Sequence, residues 1–366
     1  MKAITAKRTF AGIAALGAAA LVLAGCAAAP EEVATPEAET EEATVETETV
    51  DFLACAVSDE GSWQDQSFNQ AVYDGMQLVE SELGAEVLLL ESGSEADYEL
   101  NMQAAVDADC DLTVAVGFLL DAAANSYAEA NPDMKFAIVD SGSTQSNLKS
   151  LFYNVEQSAY LVGYASAEYS TSKILGTWGG INIPPVTAFM DGFYKGAKLW
   201  EQDNGTEVTI LGWDPEAADG TFSGSFEDTA SAKAVTATQI EAGADVIMPV
   251  AGGLYMAAAQ AIDDSGSEVK LIGVDIDAAL LNPDYAPYLI TSVEKGMGKS
   301  VYDLVESLIN GEEFNGDPYF GTLENGGTRM SPFYEFDSAF SDEVKARLAE
   351  LQDGIIAGTV DPTVLP

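Results

Sequence analysis

Six places in the sequence put a polar, aromatic or glycine residue at or just after the end of an apolar run. Asp59, Phe68 and Asn69 lie in SDEGSWQDQSFN, and Asp140 follows KFAIV. Phe189 lies in GGINIPPVTAFM, Gly252 and Gly253 follow VIMPVA, and Asp275 and Lys295 close LIGVD and TSVEK. A ring offers a stacking face, an amide both donates and accepts, and a carboxylate accepts from hydroxyls. Paired glycines free backbone N–H groups and permit close approach. These groups suit the holding of a flat, polar-edged molecule. Each also has a plainer reading. Phe68 packs in the core while Ser67 caps a helix, or it stacks on a ligand. Asp140 caps a turn or touches a ligand. Phe189 and Phe193 are core contacts at i, i+4, or Phe189 faces a cleft. Lys295, placed at a helix start where a cation is disfavoured, pairs with a surface acid or with a functional partner. Trp63 extends a stacking surface or shields its loop.

Composition removes several other chemistries. Among 366 residues there is no histidine, so no Ser-His-Asp triad and no histidine metal ligand exists. Sixty acidic residues against 15 basic ones give a formal charge of −45, a field that repels nucleic acid and anionic membranes. No G-x-G-x-x-G in the right place and no Walker A motif is present. No compact aspartate cluster at a strand end suggests a metal, and no cofactor is expected.

The elements that would carry these residues alternate. DFLACAV, EVLLLES, LTVAVGF and KFAIVD read as strands, with helical patterns between them. In SFNQAVYDGMQLVESELG, residues Ala71, Met76, Val79 and Leu83 recur at helical spacing before Gly84. The pattern restarts with KILGTWGG, EVTILGW, DVIMPVAGG and KLIGVDID, followed by a further strand and helix in YLITSVEKGMGKSVYDLVESLING. A short β segment near RMSPFYEF and a last helix in DEVKARLAELQDGI close the chain. Apolar strands each followed by a helix imply parallel sheets covered on both faces, here in two series divided near residue 156. Ligands of such sheets bind beyond the carboxyl ends of the strands.

Residues 1–25 read as an export signal: Lys2, Lys7 and Arg8, then FAGIAALGAAALVLAG, too short for a span of about 20 residues. The LAGC that ends it resembles a bacterial lipobox, which implies cleavage before Cys26 and lipidation of its thiol. Residues 26–50 are acidic, rich in Thr and Ala and without aromatics, so they read as a disordered tether. Export permits a disulfide, but Cys55 and Cys110 are expected as buried free thiols.

Taken in order, DEGSWQDQSFNQ, VGFLLDAA, FAIVD, GGINIPPVTAFMDGFYKG, DVIMPVAGG, IGVDID and TSVEKGMGKSVYD resemble the basic membrane protein family. These are lipoprotein substrate-binding components of ABC transporters, of the purine nucleoside receptor type. The resemblance implies an α/β, type I periplasmic-binding-protein fold, with two doubly wound parallel-sheet lobes about a cleft. The lobes are expected at 51–155 plus about 277–325, and at 156–276 plus about 326–366. It implies a nucleoside, purine favoured, sandwiched by Phe68 and Phe189. Asn69 and Asp140 would bind the base edge, Asp275 and Lys295 the ribose, with Gly252 giving backbone contacts and Asp59 lining the mouth. It further implies a monomer at the outer face of the cytoplasmic membrane, serving ABC permease subunits and catalysing nothing. Trp63 and Gln66 depart from the family's first loop, and DID from its DSDQ-like stretch. The alternatives are the same fold binding a sugar or autoinducer-like molecule, and a carboxylate-based surface nucleoside hydrolase.

Overall fold

The computed structural model describes residues 49–366. The expected export signal and Cys26, and all of the expected tether but its last two residues, lie outside them. The first half runs β1 (Leu53–Glu60), α1 (Phe68–Leu83), β2 (Glu86–Ser92), α2 (Tyr98–Asp107), β3 (Leu112–Val116), α3 (Asp121–Ala130), β4 (Phe136–Val139) and β5 (Leu148–Tyr153). Helix α4 (Glu156–Tyr169) leads to the second half: β6 (Ile174–Gly179), α5 (Pro184–Asn204), β7 (Thr209–Leu211) and a small hairpin of β8 (Trp213–Asp214) and β9 (Asp219–Gly220). There follow α6 (Thr229–Glu241), β10 (Val246–Val250), α7 (Tyr255–Ser265), β11 (Lys270–Asp275), α8 (Ala278–Leu281) and β12 (Leu289–Lys295). The chain ends with α9 (Met297–Ile309), β13 (Tyr319–Gly321), β14 (Thr328–Met330) and α10 (Asp342–Ile356).

Two six-stranded sheets result, ordered β2-β1-β3-β4-β5-β13 and β7-β6-β10-β11-β12-β14. All neighbours pair in parallel except β12 and β14. Every residue of LTVAV and FAIV is buried, as central strands with helices on both faces require. The chain crosses between the halves three times. After β5, α4 packs on α5; after β12, α9 packs on α1; between β13 and β14 the chain crosses once more.

These crossings correct one expected boundary. Residues 289–295, expected in the first lobe, form β12, which lies beside β11 in the second sheet with Asp275 opposite Glu294. The change of half therefore falls after Lys295, not near 277. Lys295 is the last residue of a buried strand rather than a helix start, because α9 begins at Met297. Helix α4 and strand β5 have no counterpart among the elements expected from the sequence. Ten consecutive residues of α4, Ser158–Ala167, are buried, so it has no polar face to give it a helical period.

The two thiols also differ from expectation. Cys55 in β1 and Cys110 just before β3 form a disulfide, their Cα atoms 6.0 Å apart. Both belong to one buried cluster beneath the first sheet. Parallel pairing of β1 with β3 brings the two positions within bridging distance, a proximity that lies across the sheet and not along the chain.

Candidate functional site

The carboxyl ends of both sheets meet at a cavity of about 290 Å³. All eight residues singled out in the sequence line it: Asp59, Phe68, Asn69, Asp140, Phe189, Gly252, Asp275 and Lys295. The first four come from the first half and the others from the second.

Asp59 is the penultimate residue of β1. It sits against the turn at Gly117, which has φ +113°; a Cβ there would stand 2.1 Å from Asp59 Oδ2. Only glycine fits. The Asn69 amide donates to Asp59 Oδ1 at 3.2 Å, and Asn69 Oδ1 is buried without a partner. Burial pushes the Asp59 carboxyl well above its usual range; the Asn69 bond offsets part, and Asp65, Glu60 and Asp140 add to the rise.

The loop from β1 to α1 is rigid for identifiable reasons. Glu91 at the end of β2 accepts from the Ser62 hydroxyl and the Trp63 backbone N–H. The Trp63 side chain is buried in the main core and does not line the cavity, so it anchors the loop rather than extending a stacking surface. Asp65, not Ser67, caps α1. Its carboxylate accepts from the N–H groups of Ser67, Asn69 and Gln70 at 2.8, 2.9 and 3.1 Å. The cap fixes Phe68 and Asn69, the first two residues of the helix.

Across the cavity, Pro184 and Pro185 open α5, where a missing N–H costs nothing. Phe189 lies in its second turn, 1% exposed but lining the cavity, while Phe193 is wholly core. The Lys295 ammonium lies 5.2 Å from the Phe68 ring centroid and 5.1 Å from that of Phe189. Both rings therefore flank one point.

Lys295 is buried between two carboxylates, Asp140 Oδ2 at 2.7 Å and Asp275 Oδ1 at 3.7 Å. Asp140 and Asp275 are related positions, just after β4 and at the end of β11, and both adopt left-handed backbone with φ 65° and 69°. Aspartate tolerates that region better than most residues. Burial pushes Asp275 up to about 6; Lys295 opposes the rise and Asp140 adds to it. Burial likewise raises Asp140, and Lys295 offsets part. Burial alone would lower Lys295, but the two carboxylates outweigh it, so the ammonium keeps its proton. Asp277 stays outside the cavity, where it caps α8 and accepts from the Tyr334 hydroxyl.

Several other lining residues carry no local mark of a site. Glu60 and Glu227 face the cavity from opposite halves, close enough that Glu227 adds to the rise that burial causes in Glu60. Glu227 lies on the segment between β9 and α6, which follows no central strand. Phe118 and Leu119 follow Gly117, and Met256 follows the Gly252–Gly253 turn. They belong to strand-end turns, yet carry no polar group to draw notice. Among the described residues no group of acids or cysteines could hold a metal.

Two sheets whose strand ends share one cavity, with aromatic, amide and charged walls, define a two-lobed ligand-binding protein. The solute-binding protein structure from Aeropyrum pernix K1 superposes with a TM-score of 0.77 at 24% identity, over 86% of this chain and 94% of that one. That likeness gives the type I periplasmic-binding-protein fold. The family described as "ABC transporter substrate-binding protein PnrA-like" matches residues 52–360, and the chain belongs to this Bmp family. Its members are substrate-binding proteins, not enzymes. The "ABC transporter nucleoside-binding protein BmpA" of Lactococcus lactis subsp. cremoris (strain MG1363) is 29% identical over 85% of this chain and 88% of its own length. An "uncharacterized lipoprotein" of Pyrococcus abyssi (strain GE5 / Orsay) is 30% identical over 73% of this chain and 66% of its own length. No helix among the described residues is long and apolar enough to cross a membrane.

Proposed function

We propose that this substrate-binding protein captures a nucleoside, a purine nucleoside by preference, and delivers it as a monomer to its permease from a lipid anchor at Cys26. One observation carries the reading. Two aromatic rings, an amide–carboxylate pair and a lysine between two carboxylates line a single cavity. A nucleoside has a flat π face, a polar edge and a sugar diol, and these three groups answer them in turn. Phe68 and Phe189 take the base between them. Asn69, with Asp59 and Asp140, meets its edge. Asp275 and Lys295 take the ribose hydroxyls. Base stacking on aromatic side chains contributes about 1–3 kcal/mol per base. The name of the Lactococcus relative supports the same ligand class. Nothing is bonded or broken, so binding and release are the whole of the mechanism.

The rim sharpens the reading. Glu60 and Glu227 are like charges at the same cavity, and a 5′-phosphate entering between them would be repelled. The experiment is calorimetry with adenosine, guanosine, inosine and uridine, each beside its 5′-monophosphate, and with ribose and galactose. Binding of a nucleoside but not its monophosphate is expected. Heat with a sugar and none with any nucleoside would overturn the proposal. Mass spectrometry of ligand released from the denatured protein identifies the species carried.

A further inference from the structure

Ser67 breaks a local rule. A serine just before a helix usually turns its hydroxyl back to accept from the first turn. Ser67 precedes α1 and makes no such bond. Asp65 has taken the cap, which leaves the Ser67 hydroxyl unused by its own helix. The hydroxyl instead crosses to the other half. It lies 3.1 Å from Asp275 Oδ2 and 3.4 Å from the Val274 carbonyl oxygen, and the residue is wholly buried.

The opposite surface is shaped for this loop. Gly252, with φ +54°, stands beside Ser67, and a Cβ at Gly253 would lie 2.3 Å from the Asp65 carbonyl oxygen. Gly253 thus admits the backbone of the other half, while Gly252 supplies the left-handed turn that precedes it. The arriving loop is stiff, held by Glu91 and by its own Asp65 cap. A stiff loop, a cradle without side chains and one charge-assisted hydrogen bond at their contact make a latch.

We infer that Ser67 is a positioning residue: its hydroxyl bond to Asp275 Oδ2 ties closure of the two halves to the carboxylate that lines the cavity. Ser67 does not line the cavity itself. Its influence on a ligand passes through Asp275, whose other oxygen faces Lys295. Loss of the hydroxyl loosens the contact between halves and leaves every cavity-lining group in place.

The test compares wild type, Ser67→Ala, Gly253→Ala, Asp275→Ala and the Ser67→Ala/Asp275→Ala double variant. Small-angle X-ray scattering of the unliganded proteins reads closure directly. Ser67→Ala and Gly253→Ala are expected to be more open than wild type, and Ser67→Ala to add nothing in the Asp275→Ala background. Stopped-flow release of inosine gives a second reading, which rests on the nucleoside proposal. Dissociation should be roughly tenfold faster in Ser67→Ala, the loss expected of a hydrogen bond to a charged group, with association little changed. Scattering of Ser67→Ala identical to wild type, or a Ser67→Ala change that opens the Asp275→Ala protein as much further as it opens wild type, overturns the latch. If inosine binds no form of the protein, the nucleoside reading fails, and scattering still decides the latch.

Discussion

The two halves are built to one plan and finished differently. Their sheets share one strand order, although the edge strand β14 runs antiparallel where β13 runs parallel, and each central pair ends in a similar device. Gly117 after β3 matches the Ala251–Gly252 turn after β10, and Asp140 after β4 matches Asp275 at the end of β11. Each half contributes one phenylalanine near the start of the helix that follows its first strand. The differences lie in how those starts are held and in charge. A carboxylate caps α1, whereas two prolines open α5. The first half is stapled by a disulfide, and the chain has no lysine or arginine between Cys26 and Met134. The second half supplies Lys295 and the glycine cradle. Acceptors therefore come mainly from one side and the buried cation from the other, so neither half makes the site alone.

Removing the cation should be the harshest break of this complementarity. Lys295→Met leaves Asp140 and Asp275 buried without an opposite charge and is expected to lower stability by about 3–5 kcal/mol, read by denaturant unfolding. A loss below about 1 kcal/mol would mean the halves are not tied at this point. Next comes the staple. Replacing Cys55 and Cys110 by serine should remove about 2–4 kcal/mol. Hydrogen exchange should rise in the first sheet and little in the second; an equal rise in both would erase the contrast. The rings should follow. Phe68→Ala and Phe189→Ala are each expected to weaken inosine binding by about 1–3 kcal/mol in calorimetry. Phe189→Ala should also cost stability, because Phe189 is 1% exposed while Phe68 is only half-buried. Unchanged affinity in one variant would leave a one-sided stack.

The smallest effect is set by pH. Asp275 titrates near 6 in the fold, above its ordinary 3.8. Between those values the folded protein holds a proton that the unfolded chain has released. Stability of the unliganded protein should therefore rise as pH falls from 7 to 5, by about 1 kcal/mol from this group. Asp59 and Asp140 are shifted in the same direction. Thermal melts across that interval should show the rise, and Asp275→Asn should reduce it by this group's share. A wild-type melting temperature that falls from pH 7 to 5 would count against the buried position of these acids.

Much of this was legible in the chain. Strand ends declare themselves because parallel strands are apolar throughout and stop abruptly at a polar residue, as KFAIVD and LIGVD do. Spotting strand ends thus found Asp140, Asp275 and the glycine pair together. What escaped was set by contacts between distant segments. The partner of Lys295 is 155 residues away in sequence, and nothing local marks the pairing. Cys55 and Cys110 looked like two buried thiols because the register that joins them belongs to the sheet. Ser67 looked like a cap because Asp65, two residues earlier, is a second candidate for the same N–H groups. Helix α4 was invisible because its surroundings are protein on every side.

The three crossings also fix when each half can be finished. The edge strand of the first sheet, β13, is Tyr319–Gly321, and the helix that packs on α1 is Met297–Ile309. A chain emerging from its N-terminus therefore carries five strands of that sheet long before it holds the sixth. The second half waits for β14 and α10 in the same way. Neither half is a segment that could be cut out and kept, and both stay unfinished until residues 319–356 have emerged.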